Sequence, residues 1–475
     1  MNGWRGSPQT LLVIIGLLLG AAVLPTLSGC TVGTQSSLSR VIEAVGDRLQ
    51  PLPPDTAREV ARFSEVYKDT AIEPAQDRLD YFKFAYKRVR AKYVREVPDA
   101  QLVDAAIKGV ADLKAAPSSI AAPKVIEAGL DSMIASLDPH SSYMNRQEFN
   151  ESFIHTKGEF GGLGIEVTMQ DGLVKVVAPI EDTPAAKAGV ASGDLITHVD
   201  GVSIKGHSLS QSVRRMRGRA GTSIRLTLKR EGVPDFDLTL KRAVIKVRAV
   251  RWRSVGRIGY IRVSRFSERM EGGIVKAFAA IRAEMGREPD GIVLDLRNNP
   301  GGLLDQSIVL ADAFLNAGEI VSVRGRRTNS GRAFVAQEGD LANGLPMVVL
   351  INGGSASASE IVASALKYHG RATVMGAQSF GKGSVQTIIP MPEEGALRLT
   401  TALYYGPDGQ TIQARGIAPD ILIQAKETPA KRRREADLPG SLPAQKAAGA
   451  NAAPTVSNTA CPAIKGGRSP VRSDA

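Results

Sequence analysis

Cysteine is nearly absent: 475 residues contain two, Cys30 near one end and Cys461 near the other. A disulfide framework inside the folded part is thereby excluded, and so is any C-x-x-C metal site. Histidine is also sparse, with five, His140, His155, His198, His207 and His369, and no H-E-x-x-H stands among them. Metal-assisted hydrolysis lacks its ligand spacing, so no metal and no other cofactor is expected; Asp138, Asp295 and Glu360 read as turn and cap residues. Aromatic residues make up only 5% although the formal net charge is +12. A basic chain with so few stacking side chains and no nucleic-acid-binding signature does not point to DNA or RNA. The charge fits a basic tail and contact with an anionic cell envelope.

A long membrane span is missing at the N-terminus as well. The apolar run Leu11 to Leu24 behind Arg5 has the length of a signal-peptide core. It ends in Leu27-Ser28-Gly29-Cys30, which resembles a bacterial lipoprotein signal whose cysteine is lipidated. The expectation is a signal peptide over 1–29 and a lipid anchor on Cys30, the alternative being an uncleaved anchor with an incidental Cys30; either reading holds the chain on the membrane, facing the periplasm or another extracytoplasmic space. Residues 30–75, with Pro51, Pro53 and Pro54, read as a tether with a short helix. From 76 to 155 the apolar spacing is helical, as in Tyr81, Phe84, Ala85 and Val89, and a loop is expected over Lys114–Lys124. Residues 156–245 turn to short β-type runs, Val174–Val177, Leu195–Val199 and Ile224–Leu228, between Gly and Asp turns, with one helix from Ser208 to Met216. Residues 246–425 alternate strands and helices, and 426–475, with Lys431–Arg434 followed by Ala, Pro, Gly and Ser, read as a disordered tail.

Chemistry concentrates between Asn352 and Gln386. The strand-like Met347–Ile351 runs into N-G-G-S-A-S-A-S-E, where a serine at a helix start can meet N–H groups that stabilise an oxyanion. No histidine can serve it. His369 lies on the same helix twelve residues beyond Ser357, roughly 18 Å away at ~1.5 Å per residue, and suits a cation at the helix C-terminus. Ser357-Ala-Ser-Glu360 also fits a helix capping box, so Ser357 could be a cap alone. The run Gly376–Lys382 approaches a phosphate-binding loop, but Gly383 replaces the metal-binding hydroxyl and Val385–Ile389 reads as a strand where that loop needs a helix.

Four motifs together resemble the C-terminal processing peptidases, or tail-specific proteases: L-D-P-H-S-S-Y from Leu137, L-R-N-N-P-G-G from Leu296, G-S-A-S-A-S-E-I from Gly354, and F-G-K-G-S-V-Q from Phe380. The segment 156–245, with Gly161-Gly-Leu-Gly-Ile165, Pro184-Ala-Ala-Lys-Ala-Gly189 and Gly193-Asp194, resembles a PDZ domain. The resemblance covers about Tyr81 to Ile423. It implies a multi-domain α+β chain: an N-terminal helical domain, a PDZ-like β-rich domain, and a mixed α/β serine protease core of ClpP/crotonase type.

It further implies Ser357 as nucleophile, Lys382 as general base, Gln386 as the glutamine that holds the lysine, and backbone oxyanion donors at Ala358 and the Gly301-Gly302 turn. Ser355 and Ser359 are expected to be structural. Gly162, Leu163, Gly164 and Ile165 would bind a peptide's terminal carboxylate, with Leu163 and Ile165 lining a pocket for its last apolar side chain. Arg217 becomes a candidate for signalling ligand occupancy to the core. Partners are protein or peptide substrates with apolar C-termini, with room for an adaptor protein or a homo-oligomer. The lysine faces a demand of its own: a free amine titrates near about 10.4, so it must be buried to act as a base. Val374, Met375, Phe380 and Val385 are the expected walls. The competing class is a catalytically silent PDZ scaffold in the envelope, against which an intact Ser357, Lys382 and Gln386 argue.

Overall fold

The computed structural model describes residues 52–423 and 434–445, apart from 181, 208, 247, 328–330 and 393–394, together with the side chains of 153–157 and 210. Cys30, Cys461 and the signal-like segment lie outside these residues. Among the described residues no helix is long and apolar enough to cross a membrane.

The protease region is built on two sheets. The first runs Val250–Val255, Ile258–Val263, Gly291–Asp295, Met347–Ile351, Thr373–Gly376, Ile421–Leu422. Its opening pair is antiparallel and every later pair parallel. Gly291–Asp295 and Met347–Ile351 are runs of apolar β-formers bounded by turns, as strands covered on both faces are. Helices Met270–Met285, Leu304–Asp312 and Ala358–Tyr368 supply the covering, and Ile274, Phe278, Phe314 and Ile361 join Ile292, Leu294, Val349 and Val374 in one core.

The second sheet is antiparallel, ordered Arg332–Val335, Glu319–Gly325, Ala396–Tyr405, Ser384–Pro390. Ala396–Tyr405 has both faces covered: Tyr404 packs in the first core, whereas Leu397, Leu399, Leu403 and Tyr405 enter a second one. That second core is the helical region. Helices Pro54–Thr70, Gln76–Lys92, Asp99–Ala111 and Ala122–Ala135 bury Phe63, Phe82, Leu102, Ile126 and Leu130 there, with Phe63 stacked on Phe82 at 3.8 Å between ring centres.

Three expected segments differ in the fold. The helix expected at the end of the tether is Pro54–Thr70, and it is packed rather than tethered, because Val60, Phe63 and Tyr67 recur at helical spacing and the helix lies against Asp99–Ala111, with Phe63 stacked on Phe82. The loop expected over 114–124 also holds a two-residue strand, Ile120–Ala121, paired with Ala71–Ile72. Residues 434–445, expected within a disordered tail, lie against the protease core, with Glu435 and Leu442 buried.

The β-rich region has its own core of Val174, Val176, Ile196, Leu226 and Leu228. Its sheet runs Val233–Lys241, Ser223–Arg230, Leu195–Val199, Leu173–Pro179, Ile165–Gln170, which leaves Ile165–Gln170 at an edge. Helices Pro184–Lys187 and Leu209–Met216 complete it. A two-stranded ribbon, Glu159–Gly162 with Ala243–Lys246, joins the entry and exit of this domain.

Candidate active site

Three consecutive parallel strands end at the site. Gly291–Asp295 leads into the turn 296–302, Met347–Ile351 into the serine cluster, and Thr373–Gly376 into the lysine loop. The turn is anchored behind by Asp295, which is wholly buried. Burial alone would raise its pKa, but the Arg297 guanidinium and Tyr260 hydroxyl bond its charged form and hold it down at about 2. Arg262 adds a further contact at 2.9 Å.

Turn and serine cluster are laced together. Asn298 N–H donates to Asn352 Oδ1 at 2.9 Å, and Asn352 Nδ2 returns a bond to Asn298 Oδ1 at 3.0 Å. Ser355 Oγ donates to Leu296 O at 2.8 Å and Ser359 Oγ to Asn299 O at 2.9 Å, so both flanking serines have the structural place expected of them. Ser357, half-buried between them, sits at φ 55°, ψ −116° at the N-cap of Ala358–Tyr368. Positive φ at a residue with a side chain is a strained conformation, costing roughly 1–3 kcal/mol, and persists only where its surroundings fix it. What fixes it here is visible: a Cβ on Gly301 would come within 2.8 Å of Ser357 Cβ and of Ala356 O. Only glycine lets the turn approach the serine so closely.

The expected oxyanion donors separate on inspection. Gly301 is buried and its N–H donates to Asn299 Oδ1 at 2.9 Å. Gly302 is exposed beside it at φ 146° and Ala358 opens the helix.

Glu360 is the residue that joins serine and lysine. Of the capping box expected from S-x-x-E, the half in which Glu360 accepts the Ser357 N–H is formed, while the Glu360 N–H goes to Ser357 O. The same carboxylate does more than cap: Oε2 accepts the N–H of Ser357 at 2.7 Å and of Lys382 at 2.9 Å. Oε1 accepts Ser379 Oγ at 2.5 Å and Gly381 N–H at 2.7 Å. The backbone nitrogens of Ser357 and Lys382 are therefore no farther apart than those two bonds laid end to end. Burial pushes the Glu360 pKa up to about 7 against the pull of its four donors. The sequence signalled the cap but not the link to Lys382, since nothing in the chain marks Ser357 and Lys382, 25 positions apart, as sharing one carboxylate.

Lys382 has its pKa lowered, first by burial. Glu435 is the strongest charge opposing that fall, Arg398 assists it, and Asp138 and Glu360 oppose it more weakly. Gln386, on Ser384–Pro390, donates through Nε2 to Ser384 Oγ at 2.9 Å and to Thr400 Oγ1 at 3.4 Å. Those partners connect it to L-D-P-H-S-S-Y: Thr400 Oγ1 donates to buried Asp138 Oδ1 at 3.1 Å, and Asp138 also accepts Ser141 Oγ and the N–H groups of His140 and Ser141. The motif thus braces the strand beside the lysine strand. His369 caps the far end of the serine helix, with Nε2 on Glu319 O at 2.7 Å. Among the described residues no group of three or more His, Cys, Asp or Glu is placed to hold a metal.

The geometry is that of a serine at a strained turn, joined through Glu360 to the backbone of a half-buried lysine. A profile of peptidase family S41 matches residues 257–423 and a PDZ profile residues 161–240. The carboxy-terminal-processing protease of Bartonella bacilliformis (strain ATCC 35685 / KC583 / Herrer 020/F12,63) is 52% identical over 348 residues, covering 73% of this chain and 75% of that one.

The chain belongs to peptidase family S41.

The carboxy-terminal processing protease CtpA of Bacillus subtilis (strain 168) is 33% identical over 361 residues, 75% of this chain and 72% of that one. A solved photosystem II D1 C-terminal processing protease is 27% identical, with 74% of this chain and 93% of that one aligned at a TM-score of 0.46. As an S41 member the chain is a serine protease carrying a PDZ domain, and the multi-domain α+β architecture expected of it is the one observed.

In the PDZ domain, Leu163 is only 3% exposed and packs in the domain core. It is therefore not a free pocket wall, whereas Ile165 is partly exposed at the start of the edge strand. Gly164 takes φ 78° and its carbonyl accepts Ile180 N–H at 2.8 Å, while Gly162 pairs with Ala243 in the ribbon. Arg217 is not a solvated surface residue: its guanidinium lies 4.5 Å from the centre of the Phe160 ring, and burial lowers its pKa.

Proposed function

We propose that this S41 protease is an envelope enzyme that captures protein C-termini on its PDZ domain and cuts peptide bonds with Ser357 as nucleophile and Lys382 as general base. The observation that carries the reading is the shared Glu360 oxygen, which accepts from the backbone of both residues and so presents hydroxyl and amine from one fixed point. Burial supports it by favouring the neutral amine that a base requires.

In the first step Lys382 Nζ takes the Ser357 proton while Oγ bonds to the peptide carbonyl carbon. The oxyanion is assigned to the N–H groups of Ala358 and Gly302; Gly301, already bonded to Asn299, supports the turn instead. The C–N bond then breaks and the lysine's proton goes to the leaving amine. Water attacks the acyl-enzyme, gives a proton to the lysine, and Ser357 recovers that proton as the acid departs. Gln386 acts at one remove, bracing the lysine strand through Ser384 and Thr400.

Substrate capture is assigned to the edge strand Ile165–Gln170, to which an extended peptide can add, with its carboxylate at Gly162–Ile165 and its last side chain against Ile165. Arg217, packed on the ribbon through Phe160, is the proposed link from an occupied PDZ domain to the core. The lipoprotein-like segment ending at Cys30 supports anchoring on the membrane, facing the periplasm.

The full chain in detergent is expected to cleave an unfolded protein with an apolar C-terminus, and Ser357→Ala and Lys382→Ala each to reduce cleavage at least about a thousandfold. Undiminished cleavage in either variant refutes the dyad. Binding without cleavage by the parent chain would favour the silent scaffold.

A further inference from the structure

Residues 434–445 lie beyond the region that the S41 profile matches, yet they close over the back of the lysine loop. Leu442 is 3% exposed in the second core, Gln413 Nε2 donates to its carbonyl at 3.1 Å, and an Arg434 guanidinium nitrogen donates to Arg415 O at 2.7 Å. The segment delivers one carboxylate, Glu435, with no exposed surface. A buried carboxylate costs several kcal/mol of desolvation unless it is bonded on every side, so its partners show what it serves.

Those partners bracket Lys382. Glu435 N–H donates to Phe380 O at 3.1 Å, two residues before the lysine. Glu435 Oε1 accepts Gln413 Nε2 at 2.9 Å, and Gln413 Oε1 accepts Gly383 N–H at 3.0 Å, one residue after it. Oε2 faces His140 Nε2 at 2.8 Å, which ties the strap to L-D-P-H-S-S-Y, and Ser441 Oγ lies 3.3 Å from Oε1.

We propose that Glu435 is a positioning residue for Lys382, clamping the lysine loop from both sides and supplying the negative charge against which the lysine must give up its proton. The proposal rests on Lys382 being the base. The charged groups that act on the lysine are Glu435, Asp138 and Glu360, which favour its charged form, and Arg398, which disfavours it; Glu435 is the strongest of the four. Removing that charge therefore makes the neutral lysine easier to form and extends activity toward acid.

The test uses the full chain in detergent and a fluorogenic peptide with an apolar C-terminus. Glu435→Gln keeps a carbonyl that accepts from Gln413 and a side chain of the same length beside His140, while losing the charge. Its acid limb of kcat/KM is expected to move to lower pH by about half a unit. Glu435→Asp keeps the charge but falls one methylene short of Gln413 and His140. Its acid limb should stay in place while kcat drops about tenfold at unchanged KM, a loss in orientation alone. An acid limb in folded Glu435→Gln that superimposes on the parent's, or a parental kcat in Glu435→Asp, overturns the proposal; if the Gln variant fails to fold, the Asp variant decides alone. Activity surviving Lys382→Ala sinks the lysine-base reading and this proposal with it, whereas a dead Lys382→Ala beside an unmoved acid limb sinks only this one.

Discussion

Glu360 shows how one side chain can hold two segments in register. Its oxygens accept four donors, three of them backbone N–H groups at Ser357, Gly381 and Lys382. An amide cannot replace it, because its NH₂ would face donors. Glu360→Gln is expected to lower kcat roughly 10- to 100-fold with KM little changed, since what is lost is alignment. The same residue carries a pH signature. Its folded pKa of about 7 lies above the ordinary carboxylate value. Its contribution to stability is thus complete below pH 4.5 or so and fades as pH rises through about 7. Urea denaturation at pH 5 and pH 8 should show the parent losing about 3 kcal/mol relative to Glu360→Gln across that interval. A constant difference would mean that Glu360 is ionised throughout.

Among the elements, the turn after Gly291–Asp295 is the one that builds the site. It touches the segment between Ile258–Val263 and Met270–Met285, where Phe266 and Gly302 form an isolated bridge, and it lies against the serine. A Cβ at Gly302 would sit 2.0 Å from Phe266 O, and its φ of 146° is one that side-chain-bearing residues avoid. Gly302→Ala is expected to cut cleavage about 100-fold and to cost about 3 kcal/mol of stability. Gly256→Ala, where a Cβ meets nothing within 4 Å at φ 57°, should cost about 1 kcal/mol and leave cleavage intact. Equal losses in the two variants would show that the effect is general strain. At this scale the sequence was informative. The apolar runs of the parallel sheet and the helix behind Ser357 follow from local pattern, because burial on both faces demands it. The closeness of Gly302 to Phe266 does not, since a glycine's neighbours across a fold leave no mark on its own segment.

Over the whole molecule, the helical region is not an appendage. Phe63, Phe82 and Leu130 share a core with Leu397, Leu399 and Leu403 on the strand that pairs with the Gln386 strand. The PDZ domain keeps a separate core. Phe63→Ala, which breaks the Phe63–Phe82 stack, should cost about 3–5 kcal/mol. In scanning calorimetry the transition of the helical and protease regions should fall while that of the PDZ domain stays in place. If both fall together, the cores are coupled in a way that the packing does not account for.

The sequence by itself determined the order of the PDZ and protease regions, the serine cluster, the lysine loop, and the place of His369 at the far end of the serine helix. Each is written in contiguous residues, through spacing, turn chemistry or composition. Only the tertiary structure decided that residues 54–70 are core, that Gly301 N–H is already bonded, that Leu163 is buried, and that Glu360 and Glu435 converge on Lys382 from distant segments. A hydrogen bond depends on ångström distances in space, and Glu360 and Lys382, 22 positions apart, or Phe380 and Glu435, 55 apart, acquire such distances only when the chain has folded.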